Sequence, residues 1–498
     1  MTRRYKRGTA RSQEAMLPPR IEDYVGANNP VRAIDLFVET LDLRALGFVN
    51  AGGEIGPGQP AFDPGLLLKL YLYGYINRVH SSRRLEHACR VNLELIWLLE
   101  GLVPSYRTIA EFRRVNGKAL RAVNREFVLL CKELELLGGE TVGVDGSFFN
   151  ASASDASVVS KKTLESELKE IDEEIERYHR LAESTDTEEG QTGDLFGDDP
   201  ALSDKLNKLK KRQERKRAQI KRLEDSGEKQ LSRTDPDARS LSKGKQHTVG
   251  YNVQQTVDAK HKLIVHHEVT NAGNDSEQLS KQCTGAMEVL GVETITAVAD
   301  AGYYSEGELA ACEAAGANVY VGIPDKHKAV TAQGRLSGKH FHYNARIDAY
   351  SCPAGELLHP RGRPQKKNGV WRTRYSRPSG RCQGCALQGV CLSKPEAARS
   401  IYRSEHADVV EAHRKRMAEQ GAERMRQRAG LAEHPFGTLK RWFGWDHFLV
   451  RGFEKVRGEM SLMVLGYNLT RVLNILGVDR FQQHCAERVH GMAGRVVA

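Results

Sequence analysis

The chain has 498 residues, 40% hydrophobic and 28% charged, with a formal net charge of +10. That length accommodates about two to four domains around a large buried core. No apolar run of about 18 uncharged residues occurs, which excludes a transmembrane helix, and the basic opening MTRRYKRGTAR lacks the apolar core and cleavage site of a secretory signal. The basic excess, with a pI near 9.0, favours a polyanionic partner. Nine cysteines argue against a secreted disulfide scaffold and for a reducing cytoplasm.

Residues 1–19 read as a basic flexible arm and residues 20–135 as an all-α domain. Asp63 before Pro64 is a helix start: a capping side chain, then a residue that needs no donor. Leu66, Leu67, Leu70, Leu72, Tyr73 and Ile76 make that helix mostly buried. Ser81 and Asn92 are further N-caps, Gly101 stops NLELIWLLEG, and Ser105 starts the next helix. The two helices split by GLVPS have the form of a helix-turn-helix, with Arg107, Arg113 and Arg114 on its second helix. A helical bundle with solvent-facing arginines fits the same pattern.

From residue 141 the pattern turns to strands. TVGVDGSFF, HTVGYNVQQTVD and HKLIVHHEVT read as strands, followed by a helix (SEQLSKQCTGAMEVLG), the strand TITAVAD, the helix EGELAACEAAG and the strand NVYVGI. That order predicts a mixed α/β sheet. Residues 158–229 interrupt it with a helical spacing of Leu164, Leu168, Ile171, Ile175 and Tyr178, then, after an acidic loop (182–201), Leu202, Leu206, Leu209 and Gln213, then Lys216, Ile220 and Leu223, a coiled-coil hairpin with an acidic and a basic arm. Pairing of the arms by charge and contact of the basic arm with phosphates both satisfy this pattern.

A second interruption, residues 327–400, is rich in Arg, Lys, Gly and Pro. It holds Cys352, Cys382, Cys385 and Cys391 as C-P-x28-C-x2-C-x5-C. A CxxC pair with two outlying cysteines suits a tetrahedral structural zinc ion, and free thiols in a basic loop are the alternative. Trp371, Arg372, Arg374 and Arg377 beside them would add a DNA surface. Helices fill 405–478, and 479–498 reads as a tail. In TDPDARS, Asp235 and Asp237 flank a proline, which is a turn pattern; their place before a core strand also allows a role near the site.

Asp145 and Asp300 both end β-runs and precede a small residue or turn (DGS, DAG). Glu433 sits among cations: Arg424, Arg426 and Arg428 precede it, Lys440 and Arg441 follow. Strand-ending aspartates often only cap turns, and a glutamate among cations is usually a surface ion pair. Yet two aspartates and a glutamate are also the hard oxygen ligands that a pair of Mg²⁺ ions shares with a phosphodiester.

Taken together and in this order, TVGVDGSFFNASAS, SRTDPDARSL followed by GYNVQQTVD, VADAGYYS and EHPFGTLKRW resemble DDE transposases of bacterial insertion sequences. The pattern is nearest to the IS-eleven-eighty-two group of the IS-four-like superfamily and runs from about residue 20 to residue 475. The resemblance implies an α/β, RNase H-like catalytic core formed by 136–157, 230–326 and 401–478. Around it stand a helical N-terminal DNA-binding domain (20–135), the coiled-coil insertion (158–229) and the Cys-rich insertion (327–400). It implies Asp145, Asp300 and Glu433 as the catalytic and Mg-binding triad, with two ions and Mn as a substitute. Lys440, Arg428, Arg441 and Arg424 become phosphate contacts. Ala301 departs from the residue, often basic, that follows the second aspartate in relatives, and Arg426 stands about where a tyrosine is expected.

The implied reaction is hydrolysis at a transposon end that frees a 3′-OH, then attack of that hydroxyl on target DNA. The implied partners are double-stranded DNA and further copies of the chain, in a dimer or larger synaptic assembly. The implied location is the cytoplasm, at the nucleoid. A catalytically silent relative acting as a DNA-binding regulator, and a metal-dependent nuclease without strand transfer, are the competing readings.

Overall fold

The structure, a computed structural model, describes residues 20–52, 60–192, 200–243, 246–325, 328–367, 369–378, 380–392, 394 and 397–496. The expected basic arm lies outside these residues. The chain divides into two compact units: 1–127 with 439–445 and 454–498, and 128–438 with 446–453.

The described residues open with a 3-10 turn (Ile21–Tyr24), followed by the helices α1 (Pro30–Glu39), α2 (Pro64–Ile76), α3 (Ser82–Val91), α4 (Leu93–Leu98), α5 (Tyr106–Val115) and α6 (Gly117–Glu133). Their starts follow the local chemistry. Asp63 accepts a hydrogen bond from the Gly65 amide at 2.6 Å with Pro64 in the first turn, and Asn92 and Ser105 accept from Leu95 and Thr108 amides. Ser81 occupies an N-cap position without such a bond.

In the other unit, β1 (Thr141–Asn150) is followed by β2 (Val158–Ser160). Then come α7 (Lys161–Thr192), α8 (Pro200–Ser226), β3 (Gln230–Ser232), β4 (Arg239–Lys243), β5 (Gln246–Asp258), β6 (Ile264–Thr270), α9 (Leu279–Leu290), β7 (Ile295–Ala299), α10 (Glu306–Ala314) and β8 (Ala317–Val321). β1, β5 and β6 form an antiparallel run, and β7 and β8 add in parallel beside β1, so the strands lie in the order β6-β5-β1-β7-β8 with β4 also paired to β5. This is a mixed α/β sheet. α7 and α8 leave and return through the short β2–β3 pair. Their apolar positions bury in two small clusters, one around Leu164 and Leu223, the other around Ile171, Ile175 and Leu209. Lys216 bonds Glu167 and Lys161 bonds Glu224, so charges on α8 and α7 pair with each other. Asp235 is fully buried and accepts from the Tyr251 hydroxyl and the Gly452 amide, while Asp237 accepts from the Phe453 amide, which makes both carboxylates structural.

The Cys-rich segment is not a loop region. After α11 (Lys328–Ala332), the strands β9 (His342–Asn344), β10 (Ala349–Ser351), β11 (Leu357–Pro360), β12 (Gln365–Lys367) and β13 (Val370–Ser376), then α12 (Gln388–Cys391) and β14 (Ser400–Ser404), build a second sheet in the order β12-β13-β11-β10-β9, with β14 on β13. Phe341, Leu358 and Tyr375 form its small core. Most of its strands span three to five residues, too short for an alternating pattern to stand out.

The chain closes with α13 (Ala407–Gly437), a π-helical turn (Thr438–Trp442), α14 (Phe453–Leu476) and α15 (Val478–Val496). α13 lies on β1, β7 and β8. α14 and α15 complete the helical unit, and α15 corrects the expected tail at 479–498: it is a helix that buries Phe481 and Cys485. Phe127 stacks edge-on to Phe37 at 5.1 Å and lies 6.4 Å from Phe481. α6 and α14 cross at a glycine pair, where a Cβ on Gly458 would stand 2.7 Å from the Gly117 Cα. No single described helix is long and apolar enough to cross a membrane.

Candidate active site

β1 and β7 run parallel, with Val142 beside Ala297 and Gly143 beside Val298. Two residues further on, the same register brings Asp145 level with Asp300, which follows the last residue of β7. Side chains alternate across a sheet, so each strand shows its two faces in turn. Val142, Val144, Ala297 and Ala299 belong to the core formed with α9 and α10. Val298 and Tyr320 pack instead with Leu431 of α13, and a Cβ on Gly143 would meet the Leu431 Cβ at 2.9 Å. Asp145 and Asp300 therefore share the face that α13 covers, at the carboxyl ends of neighbouring parallel strands, where open α/β sheets bind their ligands. Both are half-buried. The turn after Asp300 is closed locally: its Oδ1 accepts from the Gly302 amide at 2.8 Å.

α13 crosses this face obliquely. At one end Arg424 lies over the Tyr320 ring of β8, 5.2 Å from its centroid. Further along, Leu431 meets β1 at Gly143, and Phe436 packs 6.1 Å from Phe149. Arg428 falls between these contacts on the same stripe of the helix. It is half-buried and has no ion pair among the described residues. Glu433 lies between the Gly143 and Phe149 contacts, on the exposed flank of a helix whose Leu431, Ala432, Pro435 and Phe436 are buried. Among the described residues no three His, Cys, Asp or Glu side chains are gathered closely enough to hold a metal ion. Glu433 thus shares the helix over the aspartates without joining them in a three-carboxylate cluster.

Does the pair fit a divalent cation? Two half-buried carboxylates in register are the hard oxygen donors such an ion takes. Gln255 supplies a further observation. It lies directly opposite Asp145 in the β1–β5 pairing and is fully buried, yet neither its Nε2 nor its Oε1 has a partner among the described residues. An unsatisfied buried polar group costs about 1–3 kcal/mol. A hydrated ion held by Asp145 and Asp300 would bring the donors and acceptors this amide lacks. The residues present fit the ion.

The remaining expected residues separate. Arg107 and Arg114 are exposed on α5, Arg107 against Tyr106 and Arg114 paired with Glu111. Arg113 corrects the expectation of a DNA-facing arginine. It is 5% exposed, pairs with the buried Glu459 at 3.1 Å and lies 5.6 Å from the Tyr71 ring centroid, so it holds helices together inside the unit. Lys440 is half-buried and Arg441 exposed in the π-helical turn. Cys352, Cys382, Cys385 and Cys391 all line one small cavity, and burial, with lesser contributions from the other three thiols, raises the Cys391 thiol.

One polar network was not legible from sequence. Asp275, just before α9, accepts from Asn252 Nδ2 at 2.8 Å and from Gln254 Nε2 at 2.6 Å, and the buried Tyr303 hydroxyl donates to Gln254 Oε1. Burial, then Asp275, Asp145 and Asp300, hold the Tyr303 hydroxyl well above its ordinary value. The only sequence signal was the presence of Asn252 and Gln254 two apart in an otherwise buried strand, a polar pair on one face.

Residues 351–473 match the family model described as the transposase DDE domain, and residues 19–115 match the one described as a transposase domain (DUF772). No curated protein matches the chain. A solved cryo-EM structure of a piggyBac transposase synaptic complex with hairpin DNA aligns over 95% of this chain and 83% of that one, at 8% identity and a TM-score of 0.31, too low to establish a shared fold. The two family matches, one over the N-terminal helices and one over the segment that carries Glu433, support a DDE transposase of insertion-sequence type.

Proposed function

We propose that this chain cleaves phosphodiesters at the ends of an insertion sequence and joins the freed 3′-OH to target DNA, using Asp145, Asp300 and Glu433. The observation that carries the reading is the register that sets Asp145 level with Asp300 on the face under α13. The strand order β6-β5-β1-β7-β8, an antiparallel run followed by two parallel strands, supports an RNase H-like core. The motif order supports the IS-eleven-eighty-two group.

Asp145 and Asp300 would hold Mg²⁺ or Mn²⁺, and Glu433, which stands apart from them here, would have to move in from α13 to join the ion. Such an ion activates the attacking oxygen and stabilises the leaving one in an in-line displacement. The chain's own cations do the rest. Arg428 and Arg424, on the sheet-facing stripe of α13, bind and orient phosphodiester oxygens, and Lys440 and Arg441 contact the flanking backbone. Arg107 and Arg114 contact DNA from the helical unit. Copies of the chain act together on two DNA ends in the cytoplasm.

The second sheet is a further DNA surface. From Leu357 to Lys394 the sequence contains no Asp or Glu, and Trp371 is exposed with Lys366 5.9 Å from its ring centroid. The four cysteines line one cavity but are not gathered closely enough to hold a metal as they stand, so they would have to draw together to ligate a structural zinc ion; about one zinc per chain in the purified protein, lost on Cys382→Ser, is the expected result.

The reading is tested with a duplex carrying the element's own end. Mg²⁺-dependent cleavage and joining to a plasmid are expected, and both vanish in Asp145→Asn. Equal cleavage by the two proteins removes the triad assignment and leaves a DNA-binding regulator. Cleavage without a joined product leaves a nuclease.

A further inference from the structure

β1 lies between β5 and β7 in the sheet, so a side chain on β5 can reach the turn after β7 only by passing over β1. It does so at one place. Gln254 is directly opposite Gly146 in the β1–β5 pairing, and its amide crosses that residue to meet Tyr303 of the turn after Asp300. A Cβ at Gly146 would stand 2.7 Å from Asp275 Oδ1 and 3.0 Å from the Tyr303 hydroxyl. Glycine is therefore a window in the central strand. Asp275 backs the crossing from the far side, holding Gln254 Nε2 and Asn252 Nδ2 together. It also borders the Asp300 turn: a Cβ at Gly302 would lie 2.9 Å from Asp300 Oδ1 and 3.8 Å from Asp275 Oδ2.

We infer that Gln254, Tyr303 and Asp275 form a clamp across β1 at Gly146 that fixes the turn bearing Asp300 against the strand bearing Asp145. The strand register aligns the two carboxylates, and the clamp ties the turn beyond β7 to β5. β7 ends at Ala299, and the turn beyond it is closed by short-range bonds, the Gly302 amide to Asp300 Oδ1 and the Tyr303 amide to the Asp300 carbonyl. The Tyr303 hydroxyl is fully buried and donates to Gln254 Oε1. These are positioning residues: they lie on the α9 side of the sheet, opposite the face that carries the aspartates.

The inference rests on the reading of Asp145 and Asp300 as ion-binding residues, and the two are tested separately. DNA cleavage by Asp145→Asn tests the reading. The clamp is tested without DNA, by Mn²⁺ titration of the full chain followed by electron paramagnetic resonance. Tyr303→Phe and Gln254→Leu are expected to weaken Mn²⁺ binding about tenfold, the scale seen when residues that orient metal ligands are removed. Asp275→Asn, which keeps an acceptor oxygen for the two amides, is expected to weaken it less than Asp275→Ala. Circular dichroism of each variant confirms that it is folded. Mn²⁺ affinity within twofold of the parent in folded Tyr303→Phe and Gln254→Leu overturns the clamp, as does a parent that binds no Mn²⁺.

Discussion

Asp145 on β1 and Asp300 just past the end of β7 each lie two residues beyond the Gly143–Val298 pair of two neighbouring parallel strands, though 155 residues of sequence separate them. The register that aligns them is set upstream, by Val142 with Ala297 and Gly143 with Val298, and by the core those strands share. Replacing either aspartate by asparagine keeps the shape and removes the charge. End cleavage at saturating Mg²⁺ is expected to fall about 10²–10³-fold or more, the scale of losing one preorganised electrostatic group. A gel assay with labelled end DNA measures it, and activity within tenfold of the parent speaks against the pair.

Gln255 separates stability from function. Its amide is fully buried beside Asp145 and unpartnered among the described residues. Gln255→Leu removes that penalty and is expected to raise stability by about 1–3 kcal/mol in urea unfolding. Cleavage should fall at the same time, because the amide no longer meets the ion's solvent shell. A variant that is both less stable and fully active contradicts this account.

Arg113 and Glu459 form a buried pair, 5% and 1% exposed, with the Tyr75 hydroxyl 3.4 Å from Glu459. Losing Arg113 leaves the buried Glu459 without its ion-pair partner. Arg113→Ala is expected to cost about 3–5 kcal/mol of stability. Exposed Arg107→Ala should leave stability within about 0.5 kcal/mol and instead weaken DNA binding with a smaller salt slope. Thermal unfolding and a salt series of binding isotherms distinguish the two arginines.

His413 predicts a pH dependence. It is fully buried on α13, and its Nε2 accepts from the Val321 amide at 3.2 Å, which requires the neutral ring. Burial, helped by Arg416 and Arg414, lowers it to about 4 from 6.5. A folded-state value below the unfolded one means the stabilisation is complete above pH 6.5 and is lost as pH falls toward 4, by about 3 kcal/mol in all. Unfolding midpoints of the parent should drop more steeply over that window than those of His413→Gln. Parallel curves would mean that His413 is not held neutral.

The strands of the main sheet and the helices between them were legible because each is a periodic run with its own stops. Gly101 and Gly291 end helices with positive φ, and Asp63 with Pro64 begins one. The second sheet was not legible. Its strands are short, and β12 is QKK, three exposed polar residues that pair only because β13 lies beside them. Arg107, Arg113 and Arg114 look alike in sequence, and nothing local shows that Arg113 turns inward, since Glu459 lies 346 residues away.

The sequence alone determined the strand and helix order, the motif order that points to a DDE transposase, and the carboxylates to examine, because capping, periodicity and turn chemistry act within a few residues. Only the tertiary structure decided which faces those residues occupy. It put Asp145, Asp300 and α13 on one side of the sheet, and Gln254, Tyr303 and Asp275 on the other across Gly146. Strand register and helix packing are set by long-range burial, and that information belongs to the contacts rather than to any local stretch of chain.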